Sequence, residues 1–86
     1  MPRVTVYSTA SCMFCSRAKS MLEKWAIEFD EIRIDQDQAA LLEFNEVTNG
    51  ARTVPQIIID GKVIGGFTEL TELHMDGELD HLMPVQ

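Results

Sequence analysis

Val4-Thr5-Val6-Tyr7-Ser8-Thr9-Ala10-Ser11-Cys12-Met13-Phe14-Cys15 holds a strand, a loop and a helix start in succession. Val4 to Tyr7 is β-branched and aromatic, which suits a buried strand. Ser8 to Ser11 is small and polar and reads as a loop, with Ser11 placed to N-cap a helix. From Phe14 onward, Ala18, Met21, Leu22 and Trp25 recur at helical spacing, while Lys19, Glu23 and Lys24 fall on other faces. Trp25 closes that stripe and is expected in the core. The two cysteines stand at the helix start, close enough to form a small disulfide ring and placed where backbone N–H groups favour a thiolate. After a strand in an intracellular chain, Cys-x-x-Cys reads first as a thiol–disulfide exchange site. The plain alternative is a buried, inert pair.

The rest of the chain extends this beginning. A second strand is predicted within Phe29 to Ile34, where Glu31-Ile32-Arg33-Ile34 alternates. Asp35 or Asp37 can cap the next helix, Gln38 to about Thr48, whose Ala40, Phe44 and Val47 share a face. Asn49-Gly50 supplies a left-handed stop. Gln56-Ile57-Ile58-Ile59, the turn Asp60-Gly61 and Lys62-Val63-Ile64-Gly65 form a strong hairpin signal. The isoleucines are apolar on both faces of the pleat, which calls for cover on both sides. A helical stripe runs from Phe67 through Leu70 and Leu73 to a break at Asp76-Gly77, and Leu79, Leu82 and Met83 suggest a last turn before Pro84. The order β-α-β-α-β-β-α makes the first two strands parallel with a right-handed crossover. It predicts an α/β fold, a four-stranded mixed sheet with helices on both faces.

Eighty-six residues, 45% hydrophobic and 24% charged, suit one domain spanning 1–86 with a single modest core. A net charge of −7 disfavours nucleic acid and anionic membranes, which select basic patches. Met1-Pro2-Arg3 leads directly into a strand, no signal peptide is evident, and no apolar run approaches the roughly 20 residues that span a bilayer. A cytoplasmic location is expected, where paired cysteines are more often catalytic or metal-binding than structural. His74 and His81 do not complete a zinc site with the cysteines, so no metal site is predicted.

Three segments in order resemble the glutaredoxins, which have the thioredoxin fold: Cys12-Met13-Phe14-Cys15, Thr53-Val54-Pro55-Gln56, and Gly65-Gly66-Phe67-Thr68-Glu69. The resemblance covers nearly the whole chain. It implies a glutathione-dependent thiol–disulfide oxidoreductase that reduces protein disulfides and glutathione mixed disulfides. Glutathione is its cosubstrate, disulfide or glutathionylated proteins are its partners, and the protein is a monomer. Cys12, at the helix N-terminus, is the expected nucleophile, and the better shielded Cys15 the resolving thiol. By resemblance Pro55 is cis and the backbone of Val54 pairs with the substrate. Phe14 flanks the substrate. Thr53, Gly66, Phe67 and Thr68 complete the glutathione site, with the γ-glutamyl end at the N–H and hydroxyl of Thr68. Arg17 and Arg52 are candidate carboxylate partners, with solvated surface positions the plainer reading.

Two positions depart from the family pattern. Met13 stands where many dithiol members have proline, and Thr9 where a lysine or arginine is common. These keep two alternatives open: a redoxin served by thioredoxin reductase, and a carrier of a [2Fe–2S] cluster shared by two chains through Cys12 and two glutathiones.

Overall fold

The computed structural model describes residues 3–83. Val4–Ser8 forms β1, Met13–Lys24 α1, Asp30–Arg33 β2, Gln38–Thr48 α2, Gln56–Ile59 β3, Lys62–Gly65 β4 and Phe67–Met75 α3, followed by a 3₁₀ turn at Asp80–Leu82. The sheet order is β2-β1-β3-β4. β1 runs parallel to β2 and antiparallel to β3, and β3 is antiparallel to β4. This is the thioredoxin fold, a mixed four-stranded sheet with helices on both faces. Pro84, expected to end the last turn, lies outside the described residues, as do Met1 and Pro2.

Strand alternation divides the core in two. Val4 and Val6 of β1 and Ile57 and Ile59 of β3 meet Ala18 and Leu22 of α1 and Leu70 of α3, with Ile27 and Leu79 closing the cluster. Tyr7 and Ile58 point the other way and meet Phe44 of α2. The isoleucine run is therefore buried on both sides, as the double cover requires. On α1 the buried residues are Cys15, Ala18 and Leu22, a single stripe that turns toward β1. The Tyr7 hydroxyl donates to Glu43 Oε2 at 2.8 Å. Burial and that carboxylate push the phenol up to about 12.

Local signals hold at most junctions. Asp60 and Gly61 have φ of 52° and 82°, the left-handed pair that a tight two-residue hairpin demands. Asn49 ends α2 in the left-handed region. Asp37, rather than Asp35, caps α2 by accepting the Ala39 N–H at 3.0 Å.

Four expectations need correction. β1 runs one residue further than predicted, because the buried Ser8 hydroxyl finds a partner in Glu31 Oε2 at 2.6 Å. The N-cap of α1 is Cys12, not Ser11, since the Cys12 sulfur itself accepts the Cys15 N–H. On α2 only Phe44 is buried and Val47 is exposed. The Phe44 ring meets Tyr7 and Ile58, and Ile32, Ile34, Ala51 and Val54 pack around them, which leaves Val47 outside. Trp25 sits at the core margin and stacks flat on His74, ring centroids 3.8 Å apart. Among the described residues no helix is long and apolar enough to cross a membrane.

Two leucines of similar chemistry should separate in their effect. Leu22 is fully buried and Leu42 is 59% exposed. Leu22→Ala is expected to cost ~2–5 kcal/mol in urea denaturation, and Leu42→Ala less than ~0.5 kcal/mol. Equal losses would contradict this division of core and surface.

Candidate active site

The packing of α1 on β1 places the two sulfurs in different environments. Cys12 is the N-cap, in an extended conformation, and its Sγ accepts the Cys15 N–H at 3.0 Å. Its carbonyl opens the helix ladder by accepting from Ser16 at 3.2 Å. Cys12 is half-buried, whereas Cys15, one turn inward, is 1% exposed. Both thiols are free. Burial, reinforced by contact with Cys12, pushes the Cys15 thiol up to about 12, while the Thr9 backbone and the Lys19 ammonium act in the opposite direction. One sulfur is thus reachable at the cap of a helix, and the other is shielded and holds its proton.

A second segment meets the first. The Val54–Pro55 peptide is cis, and the Cys12 Sγ–H donates to the Val54 carbonyl at 3.5 Å. The Gln56 side-chain amide donates to the Thr53 carbonyl at 3.1 Å and to Thr53 Oγ1 at 3.2 Å, fixing this loop from beneath.

The third segment closes against the second. Gly65 has φ +114°, a conformation that disfavours any side chain. A Cβ on Gly66 would lie 3.3 Å from the Pro55 carbonyl, so the bare backbone lets the start of α3 approach the proline. Glu69 reaches back to accept the Gly66 N–H at 2.7 Å. Between the segments lies an open cavity of about 260 Å³. Phe14, Thr53, Val54, Pro55, Gly66, Phe67 and Thr68, the residues singled out in the sequence, all line it. Phe14 is 52% exposed and not core. Its ring faces Phe67 at 5.9 Å and carries the Arg17 guanidinium at 5.7 Å.

Gln56, Gly65 and Glu69 also line the cavity, although the sequence motifs that contain them assign them no role in the site. Glu69 had a signal, an acidic residue at the third helical position that can reach back to the cap backbone. The histidines lie elsewhere: His74 stacks on Trp25, and His81 Nε2 is 3.5 Å from Asp60. Among the described residues no three His, Cys, Asp or Glu side chains converge on a metal site.

Known proteins resemble this chain in sequence and in fold. Residues 4–64 match the glutaredoxin family model. Glutaredoxin 3 of Escherichia coli K12 is 39% identical over 83 residues, covering 96% of this chain and 99% of that protein. The crystal structure of a buckwheat glutaredoxin–glutathione complex superposes with a TM-score of 0.76 at 34% identity, over 95% of this chain and 76% of that one. The dithiolic glutaredoxin of Trypanosoma brucei brucei gives a TM-score of 0.83 at 29% identity, over 96% and 88% of the two chains.

The loop before Cys12 is held from the edge strand. Asp35 accepts the Ala10 N–H at 3.0 Å and is gripped by Arg33 through contacts of 2.9 and 2.8 Å. Arg33 first, then the Ala10 N–H, holds this carboxyl well below the usual carboxylate range. A depressed pKa contributes stability that is complete above the unfolded value and is lost as pH falls toward the folded one. Asp35→Asn should therefore flatten the fall in urea midpoint below pH ~4. Parallel curves for the parent and the variant would contradict the clamp.

Proposed function

The chain belongs to the glutaredoxin family of thiol–disulfide oxidoreductases, and on that premise we propose that it reduces protein disulfides and glutathione mixed disulfides with glutathione as cosubstrate. The reading rests above all on one juxtaposition. The reachable sulfur at the start of α1 touches the Val54 carbonyl, and Val54 also walls a cavity that runs to the N-terminus of α3. A disulfide bonded to the first site is thereby carried into the second.

In this reaction the Cys12 thiolate attacks the glutathione sulfur of a glutathionylated protein. The sulfur–sulfur bond of the substrate breaks, its electron pair leaves on the protein thiolate, and a Cys12–glutathione disulfide forms. The glutathione backbone pairs strand-fashion with Val54, and Phe14 and Phe67 flank its stem. Its γ-glutamyl carboxylate lies at the N-terminus of α3. Glu69 already occupies the Gly66 N–H there, so the anion takes the next donors, the N–H and hydroxyl of Thr68. A second glutathione then attacks the bound one, releasing glutathione disulfide and the Cys12 thiolate. With a protein disulfide, Cys15 performs the second attack, closing Cys12–Cys15 and freeing both substrate thiols. Glutathione later reduces the closed pair.

The two cysteine variants separate these routes. Cys12→Ser should abolish both. Cys15→Ser should lose reduction of protein disulfides and keep reduction of a glutathionylated peptide, where glutathione itself resolves the intermediate. A Cys12→Ser protein that still turned over the glutathionylated peptide, beside an inactive Cys15→Ser, would reverse the roles.

A further inference from the structure

Burial protects Cys15 from side reactions but opposes its only task in the proposed reaction, which requires a thiolate. Three observations converge on how that conflict is eased. First, Cys15 and Lys19 are one helical turn apart on the same face of α1, an arrangement that sets Cβ atoms about 5–6 Å apart. Second, Lys19 is not a free surface charge: its Nζ donates to Glu31 Oε2 at 2.7 Å, and the same oxygen accepts the buried Ser8 hydroxyl at 2.6 Å. Third, the edge strand β2 carries charge on the sheet face that α1 covers. Glu31 lies opposite Val6 and Arg33 opposite Ser8, beside the residues of β1 that face α1.

We propose that Lys19, held in place by Glu31 against Ser8, is a positioning residue that promotes ionisation of the Cys15 sulfur and so sets the rate at which Cys15 closes on Cys12. The inference rests on the glutathione-linked reaction proposed for this site.

The charged surroundings of Cys15 are few. Cys12 adjoins it from the cap and, when ionised, opposes a second thiolate. Lys19 stands on its own helix and Arg33 on β2, and each lies within electrostatic range of the Cys15 sulfur. Glu31 pairs with Lys19, and Asp35 with Arg33. The Thr9 backbone adds a dipole. When Cys12 is bound to glutathione its own negative charge is gone, and the ammonium then acts on Cys15 without that opposition. In the closing step the Cys15 proton leaves to solvent, the thiolate attacks Cys12 Sγ, and the Cys12–glutathione bond breaks. The electron pair departs on the glutathione sulfur, which takes up a proton.

The arrangement predicts opposite effects from the two halves of the ion pair. Lys19→Met keeps the apolar stem and removes the charge. Glu31→Gln keeps the shape and an oxygen that can still accept from Lys19, and removes only the opposing negative charge. The reduced protein is mixed with glutathione disulfide, quenched with acid at intervals from pH 6 to 10, and weighed by mass spectrometry. Adduct formation and loss of the glutathionyl mass are read as separate phases. Lys19→Met should displace the pH profile of the second phase upward, and Glu31→Gln downward. Each pH unit of displacement changes the closing rate roughly three- to fourfold at neutral pH, because a tenfold change in thiolate is partly offset by the opposite change in nucleophilicity. Lys19→Arg should restore the parent profile. Profiles that stay fixed, or that move the same way in both variants, would overturn the inference. If Lys19→Met fails to fold, the downward displacement in Glu31→Gln and its absence in Lys19→Arg decide the matter. A parent protein that never gains the glutathionyl mass would instead contradict the proposed function itself.

Discussion

The bond from the Cys15 N–H to the Cys12 sulfur joins the fold to the chemistry. A helix start leaves backbone donors unpaired, and a side chain at the cap ordinarily answers one of them. Here the answering atom is the sulfur proposed to react. The cap cannot be correct unless α1 lies where it does, and that placement comes from Ala18 and Leu22 packed on Val4 and Val6. The same packing sinks Cys15 beneath the surface and leaves Cys12 at the rim. A single helix seated on a single strand therefore makes two identical thiols chemically different.

Around that junction the chain trades local preference for access. The start of α3 approaches Pro55 closely because Gly66 offers no Cβ to meet its carbonyl. Glu69 caps the helix from within and keeps the approach in register. On the opposite side, β2 is an edge strand, and edges need protection against pairing with other chains. The charges on and just beyond it supply some of that protection, and they also hold the loop that leads to Cys12, through Arg33, Asp35 and the Ala10 N–H. Stability and site geometry share the same ion pairs.

Much of this was legible in the chain. Asp60-Gly61 between β-branched runs fixed the hairpin because few residue pairs tolerate two left-handed conformations in succession. The triple isoleucine, apolar on both faces of the pleat, called for a sheet covered on both sides, and the two core clusters show it. What stayed hidden depended on choices between neighbours. Ser11 is the better cap by composition, yet the sulfur of Cys12 wins because packing sets the helix start one residue later. Val47 matches Phe44 in period, but Ile32, Ile34, Ala51 and Val54, from other elements, complete the cluster around the ring and leave Val47 outside. Asp35 and Asp37 were equivalent as caps until the Ala10 N–H and Arg33 claimed the first. No spacing rule foresees such contacts, which join residues distant in sequence.

The proposed chemistry turns on the difference between the two sulfurs, and selective alkylation measures it directly. Fully reduced protein is treated at neutral pH with less than one equivalent of iodoacetamide, then digested and mapped by mass spectrometry. The label should fall almost wholly on Cys12, with Cys15 modified only after the chain is unfolded. Comparable labelling of both cysteines in the folded protein, or preference for Cys15, would contradict the account.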